Sequence, residues 1–540
     1  MRKRMKLVAV MLSIAMTMGV LSGCGARKEE SKPSDAKPAA SQKSEETKAS
    51  EEKTEEKEQL PDVDPLESER PTLKILGQYT TADLNNDVAG KHVEEISGYH
   101  VEYDVLPQEN ADQQLLLSVS GECDYDILKL TAFQFSKLID QGALADITDY
   151  IEVYGDNLKT VNSKLALKST SDANGRIFGL SSEYGAAASD PYGVVQNGLA
   201  IREDIMEELN LEVPETLAEF VDFLQAIKDA KGVAPLTFTK YGFMNNTLLT
   251  AFAGIGNGYL EKDGTLVNRF KTQEMVDYLA FIEELFDKGL IDKEFAVNST
   301  SNTIEKVASG NAYITSAWFY DIATLKDACK ATGSETDFYM LGGLKPDENS
   351  KATYINYVSL GDIYAIPKNA KHIADAVNYL NIISEESNYL AIYLGEEGVS
   401  YEVKDGKYYP IFPGFNDYAN AGQFKGLTSE GKEFSYWCAR ARKTEDMAKA
   451  FAQMNDPIAD NDVITTCIAY AYAMPELSGR NALNVAAMDV MLNAIVDGTD
   501  PKEAMDAIVA DYDANGGAQI DEILQNWYLE NKEDIDAITK

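Results

Sequence analysis

The sequence predicts an α/β fold that gives way to a helical C-terminal region. Three observations carry this. Short apolar strands alternate with amphipathic helices from Thr72 onward, and a second series of the same kind begins at Leu199. The last third keeps long stretches of helical apolar periodicity with few strand signals.

Residues 72–76 read as the first strand, and 83–96 as an amphipathic helix ended by Ser97-Gly98. Residues 100–106 alternate with period two, 113–119 are helical and 125–130 form a third strand. Strands spaced by helices in this way argue for βαβ units and a parallel sheet, with ligands at the carboxyl ends of the strands. That places 78–83 and 131–135 on the rim. The second series starts with a strand at 199–202 and a helix at 204–209. Thr216 and Glu219 then form a capping box ahead of an apolar stripe of Leu217, Phe220, Val221, Leu224 and Ile227. Further helices are expected at 272–288 and 302–309, and a strand at 311–317. Residues 359–366 form a strand stopped by Pro367, followed by a helix at 372–385. Amphipathic helices at 444–454, 481–497 and 501–511 fill the C-terminal third.

The start of the chain has a different character. Residues 1–6 carry four basic side chains, residues 7–20 are apolar, and Leu21-Ser22-Gly23-Cys24 closes the run. This is the pattern of an exported chain, and about 14 apolar residues are too few for a good membrane-spanning helix. Leu-Ser-Gly-Cys resembles the lipobox of bacterial lipoproteins, which implies removal of residues 1–23 and a lipid on Cys24. From there to about residue 70 the chain is rich in Lys, Glu, Ser, Pro and Ala, with almost nothing to bury. A coil of about 45 such residues reaches on the order of 35–40 Å, which makes it a tether.

Composition narrows the classes of partner. The 540 residues hold 49 basic and 88 acidic side chains, and loss of the first 23 residues leaves 45 basic. Such a chain is repelled by nucleic acid and by anionic headgroups. It is expected to be a monomer. No apolar run of 18 or more residues follows the leader, so the mature chain is not expected to span a membrane. Cys123, Cys329, Cys438 and Cys467 show no metal-type spacing; a 123–329 or 438–467 bridge and isolated buried thiols are both open.

Catalytic signatures are absent from the sequence. His92, His100 and His372 share no motif, and there is no GxSxG elbow, Walker loop or HExxH. Asp511, Asp513, Asn515, Gly516 and Glu522 match the spacing of an EF-hand calcium loop. Ala518 stands where such loops carry a branched apolar residue, and no second loop exists to pair with it. No cofactor is expected, with calcium at Asp511, Asp513, Asn515 and Glu522 as the exception to test.

Several motifs in order carry a family resemblance: Tyr125-Asp126-Ile127 with the run 144–151, then 175–180, 200–204 with 213–220, 309–318 and 365–369. Residues 395–401, Asp405-Gly406-Lys407 and Gly516-Gly517 add to it. Over residues 71–535 the chain resembles the extracellular solute-binding lipoproteins of carbohydrate ABC importers, in the Gram-positive subgroup with a large C-terminal insertion. The resemblance implies a two-lobed, periplasmic-binding-protein-like fold of type II character, with hinge-linked lobes and a ligand in the cleft. It implies crossings near 180–184 and 342–354. Lobe one is then 71–182 with about 352–410, and lobe two about 183–351 with about 411–540. Implied partners are a carbohydrate, taken to be an oligosaccharide, and the ABC permease transmembrane subunits. The implied location is the extracellular face of the cell membrane, held by lipid, with no enzymatic activity. A surface glycoside hydrolase and a calcium-dependent adhesin are the alternatives.

Sugars need flat apolar surfaces for their C–H faces and fixed polar groups for their hydroxyls. With 29 Tyr and only 3 Trp, each Trp is informative. Trp318 ends a strand where the family commonly places a stacking aromatic, and Tyr320 and Asp321 follow it. Tyr79 and Asp83 lie after the first strand, and Thr131 and Phe133 after the third. Glu183 and Tyr184 sit at the expected first crossing, and Tyr357 and Asp362 flank the returning strand. Trp437 completes the candidates, with core packing its rival role. Helix capping is the rival role for Asp83 and Asp321.

Overall fold

Neighbouring residues of the first strand face two different cores: Leu73 and Ile75 join one, and Leu76 the other. A strand buried on both faces belongs at the centre of a layered α/β fold. The computed structural model describes residues 63–540, apart from Glu122, 254–257, Glu430 and Ser478. The expected leader, Cys24 and most of the expected tether lie outside the described residues.

The strands in chain order are β1 (Leu73–Gly77), β2 (Val101–Val105), β3 (Ile127–Leu130), β4 (Leu180–Tyr184), β5 (Asn197–Arg202), β6 (Leu236–Thr237), β7 (Tyr259–Lys262) and β8 (Thr265–Asn268). They continue as β9 (Ile314–Trp318), β10 (Phe338–Leu341), β11 (Thr353–Tyr357), β12 (Ser359–Ala365), β13 (Tyr401–Lys404), β14 (Lys407–Pro410) and β15 (Asp462–Thr466). One sheet has the order β2-β1-β3-β12-β4. Its β1, β2 and β3 run parallel, as the helix-spaced strands predict, while β12 is antiparallel to both β3 and β4. The second sheet, β10-β5-β9-β6, is mixed: only β6 and β9 are parallel.

Local chemistry explains where the helices begin. Thr216 Oγ1 accepts from Glu219 N–H at 3.2 Å, and Glu219 returns the bond to Thr216 N–H at 3.1 Å. The helix Leu217–Lys231 then buries Phe220, Phe223, Leu224 and Ile227 against the second sheet. Each such side chain contributes roughly 1.5–3 kcal/mol. Gly232, in a left-handed conformation, ends it.

The chain passes from the first sheet to the second over residues 185–196, between β4 and β5. It returns through β11, which lies between β10 of the second sheet and β12 of the first. β15 pairs with β11 in parallel register, Tyr354 beside Val463 and Tyr357 beside Thr466. Beyond β15, residues Cys467, Ile468, Tyr470 and Ala471 pack with Leu165, Ala166, Leu524 and Trp527, so one core links segments far apart in sequence. Helices Arg480–Asp497 and Pro501–Ala514 join the second-sheet core through Met491, Ile495, Met505 and Ile508.

Two boundaries differ from expectation. Phe415, Phe424, Leu427, Tyr436 and Ala439 belong to the core of the first sheet, with Val93 and Tyr103. Residues 415–427 with Tyr436 and Ala439, expected in lobe two, therefore pack on lobe one, while Phe434 and Cys438 join a core with Ala200 and Ala317 of the second sheet; these apolar residues carry no address in sequence. The expected tether also ends early. Asp64 accepts from the Tyr150 and Tyr154 hydroxyls, and Glu67 N–H donates to Asp375. Cys123, Cys329 and Cys438 are buried free thiols, so neither the 123–329 nor the 438–467 bridge forms.

Candidate functional site

A cavity of about 370 Å³ opens where the two sheets and the crossing strand meet. β4 brings Tyr184, the first crossing brings Gly185 and Val194 to Gln196, the second sheet brings Asn197 and Trp318, and β11 brings Thr353 to Tyr357. Asn246 and Thr250 come from the helix Asn246–Ala253, and Phe434 from the short helix Lys432–Trp437. Its size lies within the range of small-molecule sites.

The walls are fixed from behind. Asn356 is fully buried; it accepts from Ala186 N–H at 3.1 Å and donates to Ala186 carbonyl at 2.8 Å, tying the two crossings together. Gly185 has φ 130°, and a Cβ there would meet the Tyr357 carbonyl at 2.7 Å, so only glycine allows the approach. Asn245 donates to Asn197 Oδ1 and to Ser316 Oγ, both at 2.9 Å, which orients the Asn197 amide. Gln196 donates to the Tyr184 hydroxyl. The Tyr184 ring stands edge-on to Phe434 at 5.5 Å.

The cavity lining is aromatic, aliphatic, amide and threonine, without an acidic or basic side chain. Burial pushes the phenols of Tyr354 and Tyr357 up to about 12 and raises Tyr184 further, so all three stay neutral donors in ordinary buffers. Such walls bind hydroxyls and C–H faces.

Trp318, Tyr184 and Tyr357 are the expected residues that line the cavity. Trp318 is 44% exposed and stacks on Tyr320, itself 49% exposed, at 5.7 Å and 10° between planes. The pair makes a flat shelf leading out of the cavity. Asp321 accepts from the Trp318 backbone N–H at 3.0 Å and so holds the shelf rather than extending it. On the first-sheet rim Tyr79 and Phe133 are exposed, Phe133 with Lys137 Nζ 4.0 Å over its ring. Thr131 is engaged in a capping box with Gln134. Asp83 accepts from Asn86 at 2.8 Å, and Asp362 lies 3.6 Å from Lys129.

Two residues depart from expectation. Glu183 is fully buried, accepting from Ser163 N–H at 2.6 Å and the Tyr470 hydroxyl at 2.7 Å. It points into the protein because side chains alternate along β4 and Tyr184 takes the cleft side. Trp437 packs with Phe434, Phe319 and Phe451 as part of an aromatic core. The calcium spacing does not form a loop. Asp511 and Asp513 lie in the helix Pro501–Ala514, Asn515 donates to Asp511, and Lys271 holds Asp513 at 2.7 Å. Glu522 falls in the next helix, and among the described residues no three His, Cys, Asp or Glu side chains converge as a metal site.

Sequence reasoning missed Val194 to Asn197, Asn246, Thr250 and 353–356. The one available signal was the alternation of Tyr354, Ile355, Asn356 and Tyr357 just past an expected crossing.

The sequence profile of the bacterial extracellular solute-binding proteins matches residues 86–388. The chain belongs to this family. Among its relatives, lipoprotein LipO of Bacillus subtilis is 25% identical over 361 residues, 62% of this chain and 69% of LipO. The polygalacturonan/rhamnogalacturonan-binding protein YtcQ, also of B. subtilis, is 23% identical over 59% of this chain and 65% of its own. The fold is that of the ABC-transporter substrate-binding protein FusA of Streptococcus pneumoniae, solved with kestose: TM-score 0.60 at 16% identity, covering 86% of this chain and all of FusA. This solute-binding protein is therefore two-lobed and mixed α/β, with a helical C-terminal region. Among the described residues no helix is long and apolar enough to cross a membrane.

Proposed function

We propose that this solute-binding protein captures a carbohydrate, an oligosaccharide, in the cavity between its two sheets and delivers it to the permease of an ABC importer. The observation that carries this reading is the Trp318–Tyr320 shelf opening from a cavity of aromatics and amides. Trp318 stacks on one sugar ring, Tyr320 on the next, and Gln196, Asn197 and Asn246 meet hydroxyls. The names of YtcQ and FusA, both carbohydrate-binding, support the solute class. Because the cavity draws on both sheets, a ligand that contacts both favours the closed arrangement of the lobes.

The protein works as a monomer on the outer face of the membrane, held by a lipid on Cys24 and the tether that follows. LipO, named a lipoprotein, supports the anchor. A thermal-shift screen of the purified protein against a broad saccharide panel tests the solute class. Stabilisation by an oligosaccharide is expected; stabilisation only by a peptide or an amino acid sinks the carbohydrate reading. Cys24→Ala is expected to release the protein into the medium, and full retention on cells ends the anchor reading.

A further inference from the structure

A second cavity, of about 510 Å³, adjoins the first and is the larger of the two. Tyr339 and Gly343 reach it from β10 and just past its end, Tyr354 from β11, Gln453 from the helix Glu445–Asn455, and Asn461 from the turn before β15. No strand of the first sheet contributes to it. Gly342 and Tyr354 line both cavities. The sheet order explains how they meet. β10 is the edge strand, with β5 beside it and β9 next. Leu341 stands opposite Leu199, and Asn197 opposite Trp318, so Trp318, Asn197 and Gly342 follow one another across the rim. With strands about 4.8 Å apart, a linear ligand on this rim passes from Trp318 over Asn197 to Gly342. The next space it meets is the second cavity.

Three polar groups of this second cavity have no partner among the described residues. Tyr354 is only 4% exposed, yet its hydroxyl makes no hydrogen bond there. A Cβ on Gly343 would stand 3.0 Å from that hydroxyl, so the phenol end reaches the second cavity. The Tyr339 hydroxyl is unbonded in the same way. Gln453 Oε1 accepts from the Met340 N–H at 3.0 Å, which fixes the amide and leaves its Nε2 free to donate. Buried polar groups are nearly always hydrogen-bonded, and donors converging on one cavity suit a solute rich in oxygen. The charges of the wall balance: Glu215 and Asp460 stand against Lys345 and Lys351. Lys345 is already held by Glu215 at 2.6 Å. Hydroxyls, rather than a net charge, are what this lining recognises.

We propose that the second cavity is a further saccharide subsite, which takes the units of an oligosaccharide that extend past Gly342 and Tyr354. Tyr339, Tyr354 and Gln453 donate to the hydroxyl and ring oxygens of those units. This rests on the carbohydrate reading above and adds a length to the ligand: a chain that reaches from the Trp318 shelf into the second cavity is held at both ends. Because no strand of the first sheet lines the subsite, its contacts do not wait for the lobes to close.

The test is calorimetric titration of the mature protein with malto-, fructo- and galacturono-oligosaccharide ladders, each running from the disaccharide to the hexasaccharide. In at least one ladder, affinity is expected to rise about tenfold or more with length. A double variant, Tyr339→Phe with Gln453→Glu, removes two donors and keeps the acceptor for the Met340 N–H. In it the rise is expected to shrink to about threefold or less, with the disaccharide bound as before. Melting curves show whether the double variant is folded. If it is not, Tyr339→Phe alone carries the test: it takes off one unbonded hydroxyl and is expected to weaken the hexasaccharide about threefold and the disaccharide not at all. Affinity that stays flat along every ladder, a rise that the variants leave unmoved, or equal losses for short and long sugars overturns the subsite alone. Binding of no member of any ladder overturns the carbohydrate reading and the subsite with it.

Discussion

The two faces of the cleft treat their polar side chains in opposite ways. On the first-sheet side, Thr131 caps a helix, Asp83 bonds to Asn86, and Glu183 is sealed among three donors. On the second-sheet and crossing side, Trp318, Tyr357, Asn197 and Asn246 are left facing the cavity. The difference follows from what comes after each strand. Where a helix starts at once, as Ala132–Asp140 does behind β3, its unpaired N–H groups claim the nearest oxygen. Where the chain runs on as a crossing, backbone groups find partners along β11 and β15, and the side chains stay available.

The largest effect that sharpens this contrast is on stability. Glu183→Ala takes the acceptor from Ser163 N–H deep in the protein, and should cost about 3 kcal/mol in urea unfolding. Affinity for the bound saccharide should be nearly unchanged; a loss of affinity without a loss of stability would move Glu183 to the ligand side and break the comparison. Trp318→Ala should do the reverse. With the side chain 44% exposed, melting should barely move, while affinity measured by calorimetry falls roughly 10- to 100-fold. Thr131→Ala removes a helix cap and should cost about 1 kcal/mol with no change in binding. The smallest effect is at the end of the shelf: Tyr320→Ala should weaken a trisaccharide by about 2- to 10-fold and leave a monosaccharide untouched. Equal losses for both would place Tyr320 in the first sugar's site.

What could be read beforehand follows the range of the interactions. The capping box at Thr216 and Glu219 is local and appears as expected. The first three parallel strands follow from helix-length spacing. The antiparallel return of β12, the pairing of β11 with β15 and the attachment of Phe415 to Leu427 depend on partners a hundred or more residues away. No local pattern encodes those. At the site, Trp318 stood out because tryptophan is rare here, whereas Asn246 and Thr250 are ordinary residues made special only by position. Asp511 and Asp513 lie on a helix, where acidic residues two apart also suit an exposed face.

The paired strands β11 and β15 have a mechanical consequence. Both lead towards first-sheet segments, and five residue pairs hold them in step. Two pins locked together leave a door one way to swing: it can turn about the line through them, but cannot shear or twist independently. Opening then becomes a single coordinate. One pair of distance labels, one on each lobe, suffices to follow it, and a bound solute has only that one motion to arrest.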